Sequence, residues 1–296
     1  MKNWLHHMKR RSDSSDTSGS PLDRVTKRLR AHHLPNASHF LPKHQRSLNI
    51  EYANEDDLLP HFNVSFEDSL RLKNKGRNDI MIMDSSGLDD DERTLMHYLR
   101  QAVQNDPLTK GMREHFVDSF VNYLLYELKF HKHPFIMNIQ PDYYFRVENH
   151  EVTAKVEFSI EKQEAIKDEV KRLVLCFDED KHLHNLSSNN NYGECQIAAE
   201  ILACAYTNYD RADSLTQGQD QTIFAVHVIG FRFTLYKAHV TKEYMRSLSE
   251  GFPSETLRVL RYPSDEVHRY GYDYTDAKER VLVLQMLLNL RETMKL

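Results

Sequence analysis

No stretch of this 296-residue sequence approaches the ~20 consecutive apolar residues that a membrane-spanning helix needs, so a helical membrane protein is not expected. Cysteine is scarce. Cys176, Cys195 and Cys204 include no Cys-x-x-Cys pair, which argues against a disulfide framework or a zinc cage and fits a reducing, intracellular compartment. The 17 histidines do not change that, because His6-His7, His32-His33 and His182/His184 lack partners at zinc-site spacing. Residues 1–11 carry basic side chains without the apolar stretch of about 7–15 residues that marks a secretory signal, so export is not expected. A Walker-type phosphate loop and a Gly-x-Ser-x-Gly elbow are also missing, which removes the common nucleotide-kinase and serine-hydrolase readings.

A hydrophobic fraction of 40% and a charged fraction of 28% belong to a globular chain, long enough for one substantial domain plus decoration. Charge is placed unevenly. Residues 1–50 hold ten Lys and Arg against three Asp and Glu, so of the net charge of −5 for the whole chain, residues 51–296 carry −12. A body this acidic lacks the broad positive field of a strong non-specific DNA binder, and a nucleic-acid substrate would have to meet a local basic strip or the arm.

Residues 1–48 are rich in Ser, Asp, His, Lys and Arg, include the run Ser12 to Pro21, and show no sustained apolar period; the composition predicts a disordered basic arm. Lys9-Arg10-Arg11 and Lys27-Arg28-Leu29-Arg30 flank the Ser-rich spacer in the manner of a bipartite nuclear import signal, which points to the nucleus. The alternative is an arm that stays solvated or touches phosphates. Residues 49–110 read as a lead-in with a short strand at 80–83 and one helix from Asp89 to about Gln104, opened by Asp89-Asp90-Asp91-Glu92 where the helix dipole favours negative charge.

From 111 to 296 the pattern predicts one α/β domain. A helix spans about 111–130, with Phe116, Phe120, Val121, Leu124, Leu125 and Leu128 at three- and four-residue steps. Three extended segments follow, about 135–147, 151–160 and 172–178, read as a meander. A helix from Gly193 to about Tyr206, strands at 222–229 and 231–238 broken by Gly230, and a helix over about 276–294 complete the order. No internal repeat is visible.

That order, with its charges, resembles the PD-(D/E)XK or restriction-endonuclease-like nuclease superfamily over about 110–240, and more specifically a divergent or degenerate fungal member. The resemblance implies a mixed central sheet flanked by helices and Mg²⁺, or Mn²⁺ in its place, as cofactor. An acid on the second strand and a Glu-x-Lys on the third hold the metal in the family. Here the third strand ends in Phe177-Asp178-Glu179-Asp180-Lys181, and alternation would put Glu179 and Lys181 on one face. Glu157 stands where the family usually has Asp. The literal Pro141-Asp142 lies a strand earlier, so Asp142 is the second candidate for the same role.

By the same resemblance, the Asp180 carbonyl and Glu114 at the start of the first helix would be further metal ligands. Gln196, four residues before Glu200 on one helical face, would be the helical glutamine that meets metal-bound water or nucleic acid. Phosphodiester cleavage needs this set, because charge builds on the phosphate oxygens and the leaving oxygen while water is a poor nucleophile. Glu157, Glu179, Lys181 and Gln196 are therefore the expected catalytic residues. The competing expectation is a catalytically inactive nuclease-fold binding or effector module, which the acidic domain charge favours. Fungal and oomycete nuclease-like domains, Crinkler-type effectors among them, are similar, although no Crinkler leader is seen.

Overall fold

The computed structural model describes residues 34–105, 115–163, 171–180, 193–212 and 219–296, with only the backbone of 171–172 and 178–180. The chain forms a mixed α/β fold. A 3-10 turn at Ala37–His39 leads to α1 (Pro42–Ser47) and β1 (Ile50–Asn54), and a second 3-10 segment at Asp68–Asn74 precedes α2 (Arg77–Ile82) and α3 (Asp90–Gln104). Next come α4 (His115–Glu127), β2 (Phe135–Ile139), β3 (Asp142–Val147), β4 (His150–Lys155), β5 (Phe158–Gln163), β6 (Lys171–Asp180) and α5 (Glu194–Arg211). The chain finishes with β7 (Gln221–Ile229), β8 (Arg232–Val240), α6 (Lys242–Glu250), β9 (Leu257–Tyr262), β10 (Tyr272–Asp273) and α7 (Ala277–Lys295).

The sheet order is β1-β9-β8-β7-β6-β5-β2, with β10 on β8, while β3 and β4 pair as a separate hairpin. β5 runs antiparallel to both of its neighbours, β2 and β6; β6 and β7 are parallel, and α5 is the crossover between them. Both faces of the sheet are covered, so its central strands are apolar on both sides rather than alternating with polar residues. On one face Phe158, Ile160, Leu175, Phe177 and Val228 pack with Phe120 of α4 and Leu284 of α7. On the other, Cys176, Ala225 and Tyr236 pack under α5, the β3–β4 hairpin and the N-terminal turns.

Local chemistry explains several boundaries. Asp89 and Glu92 exchange side-chain to backbone hydrogen bonds at 2.9 Å in both directions, a capping box that fixes the start of α3. Gly271 has φ +90, and a Cβ there would overlap the Phe233 carbonyl, so only glycine lets the 263–271 loop return against β8.

Four expectations differ from the structure. Residues 80–83 lie at the end of α2, not in a strand; Asp79 accepts from the Gly76 backbone N–H at 3.0 Å and starts that helix. Residues 34–48 of the expected disordered arm are folded, with Leu34, Ala37, Phe40 and Leu48 buried beside the hairpin and α5, whereas residues 1–33 lie outside the described residues. The lead-in is tied into the same body: β1 pairs in parallel with β9, and Leu70, Leu72 and Ile80 share a core with Phe120 and Leu284. The three expected strands over 135–178 are five, because the chain leaves the sheet after Ile139 to form the β3–β4 hairpin and returns at Phe158. The segment between β8 and α7, which carries α6, β9 and β10, showed no sequence signal strong enough to predict. Among the described residues, no helix is long and apolar enough to cross a membrane.

Candidate functional site

Of the expected site residues, Glu157, Gln196 and the backbone of Glu179 and Asp180 lie on or beside the β5–β6–α5 unit. Glu157 precedes β5, half-buried, and its backbone N–H donates to the Phe177 carbonyl at 3.1 Å, which fixes it beside the C-terminal end of β6. One oxygen of its carboxylate accepts from the Gln140 side-chain amide at 3.0 Å, and its carbonyl accepts from the Gln140 N–H at 2.8 Å. Gln140 sits where the chain turns out of β2 towards the hairpin and holds φ +49, a left-handed conformation unusual for a residue with a Cβ.

On α5, Gln196 Nε2 donates to Glu200 Oε1 at 2.9 Å. Gln196 is half-buried and Glu200 is 0% exposed. Three turns further on, at nearly the azimuth of Glu200, Arg211 forms an ion pair with Glu161 of β5 at 2.9 Å. That pair turns this flank of the helix towards β5, the strand that Glu157 opens. Asn208 pins the opposite end: its amide oxygen accepts from Leu173 N–H at 2.8 Å, and its NH₂ donates to the Leu173 carbonyl at 2.8 Å and to Gln221 Oε1 at 2.9 Å.

Glu179 and Asp180 pair through their backbones with Val228 and Ile229, in the last rungs of the parallel β6–β7 ladder. Their side chains, and all of Lys181 and Glu114, lie outside the described residues. Asp142 is exposed at the start of β3, opposite Lys155 in the hairpin and not in the main sheet. The structure thus places Glu157, the backbone of Glu179 and Asp180, and Gln196 at one end of the fold, and puts Asp142 on a different sheet. Among the described residues, no group of three His, Cys, Asp or Glu side chains is close enough to hold a metal ion.

A second polar cluster went unrecognised in the sequence. Glu194 in the first turn of α5, His227 of β7, Thr234 and Tyr236 of β8, and Arg261 of β9 line a cavity of about 100 Å³ with Asp265 and Arg269 at its rim. His227 is 1% and Arg261 4% exposed. Arg261 Nε lies 3.2 Å from Glu194 Oε1, while its two terminal nitrogens donate to the carbonyls of Pro263, His268 and Arg269. The Nε contact is close enough for attraction but is not aligned as a hydrogen bond. Burial raises the Glu194 carboxyl above its ordinary range, and the Arg261 guanidinium acts against that rise. Burial and the nearby Glu194 charge likewise push the Tyr236 and Tyr52 hydroxyls up.

One member of this cluster had a signal in the sequence. His227 follows Ile223 and Ala225 at two-residue steps, which puts it on a buried strand face. The cavity also positions the helix, because Glu194 and His227 share it: the first turn of α5 lies beside the rung where Asp178 pairs with His227. No protein-family model matches the chain, and no curated protein matches it.

Proposed function

We propose that the protein is a divergent PD-(D/E)XK nuclease that hydrolyses phosphodiester bonds in nucleic acid with Mg²⁺. One observation carries the reading. Helix α4, strands β2, β5 and β6 with each antiparallel to the next in the sheet, helix α5, and β7 parallel to β6 follow one another in the order the family resemblance leads one to expect, with the β3–β4 hairpin inserted. Within that order, Glu157 is hydrogen-bonded to the rung two residues before Glu179. Phe120 of α4 packs edge-on against Phe233 at 6.2 Å, and Phe233 pairs with Val228, the partner of Glu179.

The donor set fits the cofactor, because carboxylate and carbonyl oxygens are the hard ligands Mg²⁺ prefers. Glu157 and Glu179 would hold it, with the Asp180 carbonyl and Glu114 as further donors, and Asp142, which belongs to the separate hairpin sheet, as the second candidate for the place of Glu157. Bound there, Mg²⁺ supplies positive charge that polarises the phosphate and acidifies water. Lys181 offsets charge growing on the phosphate oxygens, and Gln196 orients the attacking water through its amide. The basic segments within 1–33 suit a nuclear, nucleic-acid-contacting protein. The charge of −12 on residues 51–296 favours a second reading, an inactive nuclease-fold binding module.

A plasmid-nicking assay with and without Mg²⁺ separates the two. The nuclease reading expects cleavage by the wild type, loss of at least a hundredfold in Glu179→Ala and Lys181→Ala proteins that remain folded, and no cleavage in chelator. A wild type that never nicks DNA or RNA, or mutants that cut as well as it does, would support the binding module.

A further inference from the structure

A nucleic acid meets so acidic a body only where positive charge is gathered locally. Residues 71–77 hold Arg71, Lys73, Lys75 and Arg77 and no acidic residue, and Arg280 pins the segment by donating to the Arg71 and Lys75 carbonyls at 2.7 and 2.8 Å. Where the segment enters α2, the Arg77 guanidinium lies over the ring of Phe231, 4.9 Å from its centroid. Arg232 lies over the same ring at 4.2 Å. We propose that Arg77 and Arg232 together grip the phosphate backbone of a nucleic-acid strand bound beside the C-terminal end of β6; this rests on the nuclease reading of that end.

The sheet register fixes where this pair stands. Asp180 of β6, Ile229 of β7, Arg232 of β8 and Asp273 of β10 form one row of paired residues, and Arg77 is ion-paired with Asp273 at 3.7 Å. With neighbouring strands about 4.8 Å apart, the Arg232 backbone stands about 10 Å from that of Asp180, roughly three phosphates along a strand at about 3.4 Å each. Phe231 and Ile80 of α2 share a core with Val228, the strand partner of Glu179. A guanidinium stays charged throughout the pH range of folded proteins, and its five N–H donors lie in the plane of the group. Stacking on a ring occupies its flat face and leaves that edge for oxygen acceptors, which suits planar, two-point recognition of phosphate. Phe231 is 0% exposed, so its ring serves to hold the guanidiniums and is not offered to a base. The Arg77 side chain is 42% exposed with its ion pair to Asp273 in place, and a solvent-exposed pair of this kind is weak enough for a phosphate to share the arginine.

Fluorescence anisotropy of the full-length protein with a labelled DNA duplex and a labelled RNA strand, in chelator so that nothing is cut, tests this. The slope of log affinity against log salt counts the phosphates neutralised, about 0.9 per contact on a duplex and about 0.7 on a single strand. Arg77→Gln and Arg232→Gln should each make the slope shallower by about that amount, and the double variant by about twice as much, on whichever probe the wild type binds. A purely structural role would leave the slope alone. Arg77→Lys keeps a point charge, so it should hold the wild-type slope while losing affinity with the planar fork. Arg258→Gln, which removes an exposed arginine near the start of β9, should leave the slope as it is. A slope unchanged in Arg77→Gln or in Arg232→Gln overturns the proposal, as does an equal loss in Arg258→Gln or a wild type that binds neither probe. Should Arg232→Gln not fold, Arg77→Gln decides, since it alters a side chain at the exposed start of α2. A wild type that binds with these slopes yet never cleaves in Mg²⁺ loses the nuclease reading and keeps the grip; one that cleaves while both variants keep its slope does the reverse.

Discussion

Gln140 and Glu157 are joined twice, side chain to side chain at 3.0 Å and backbone to backbone at 2.8 Å, across the point where the chain leaves the main sheet and returns to it. The pair holds the carboxylate proposed as the second-strand metal ligand, and it does so from a residue with φ +49. Gln140→Ala and Gln140→Gly should each weaken Mn²⁺ binding by about three- to tenfold in calorimetry, since a released carboxylate must be ordered on binding. The glycine variant should be more stable than the alanine variant by about 1 kcal/mol, because only alanine keeps the left-handed strain. Equal metal affinity in all three proteins would leave Gln140 without a role at the site.

Asn208 joins α5 to β6 and β7 with three hydrogen bonds, next to the register shift between β5 and β6. Asn208→Ala strands the backbone groups of Leu173 and should cost about 2–4 kcal/mol in urea unfolding. Asn208→Asp should be no better, because it removes the NH₂ and sets a carboxylate against the Leu173 carbonyl. A change below about 0.5 kcal/mol would contradict this role.

His44 gives the fold a pH dependence with a definite sign. Burial, with a smaller contribution from the neighbouring Lys43 charge, lowers its pKa to about 4, and its Nδ1 accepts from the Leu41 N–H at 3.0 Å, so the folded protein holds it neutral. A folded pKa below the ordinary histidine value means that protonation favours the unfolded chain. This contribution is present above about pH 6.5 and is lost as the pH falls towards 4, the loss at pH 5 being on the order of 1 kcal/mol once solvent screening is allowed for. Melting temperature measured between pH 7 and 5 should fall less steeply in His44→Asn than in the wild type. Parallel curves would exclude His44 as the source.

Arg280 is 1% exposed in α7 and donates to the carbonyls of Tyr274 at 2.9 Å, Arg71 at 2.7 Å, Lys75 at 2.8 Å and Thr275 at 3.2 Å. It ties the 71–75 segment to the C-terminal helix. Arg280→Met keeps much of the volume and leaves those carbonyls unpaired, so it should destabilise by about 3–5 kcal/mol in chemical denaturation. Near-wild-type stability would mean that water satisfies them as well as the guanidinium does.

Where residues obeyed a long period, the sequence revealed the element. The stripes of Leu95, Leu99 and Val103 in α3 and of Phe120, Val121 and Leu124 in α4, and the apolar runs of β7 and β8, lie within one element. Short or distant features were not legible. Ile80 to Met83 is too brief an apolar run to separate helix from strand, and β1 exists only because β9, some two hundred residues later, pairs with it. The segment over about 135–147 reads as one strand although Pro141 interrupts it, so neither the break after Ile139 nor the excursion into a separate hairpin was legible. Glu157 and Gln196 are named through the family resemblance, Glu157 on an expected strand that the structure divides at that point into β4 and β5. Glu194 and Arg261 are not named, since their pairing depends on α5 crossing to β9, which no local pattern encodes.

Whether the carboxylates of Glu157, just before β5, and Glu179 of β6 share one divalent ion is answered directly by a crystal soaked in Mn²⁺ and measured at the manganese absorption edge. The nuclease reading predicts an anomalous peak within about 2.0–2.3 Å of carboxylate oxygens of both Glu157 and Glu179. A peak elsewhere, or no peak at millimolar Mn²⁺ in crystals whose Glu157 and Glu179 side chains are ordered, would contradict it.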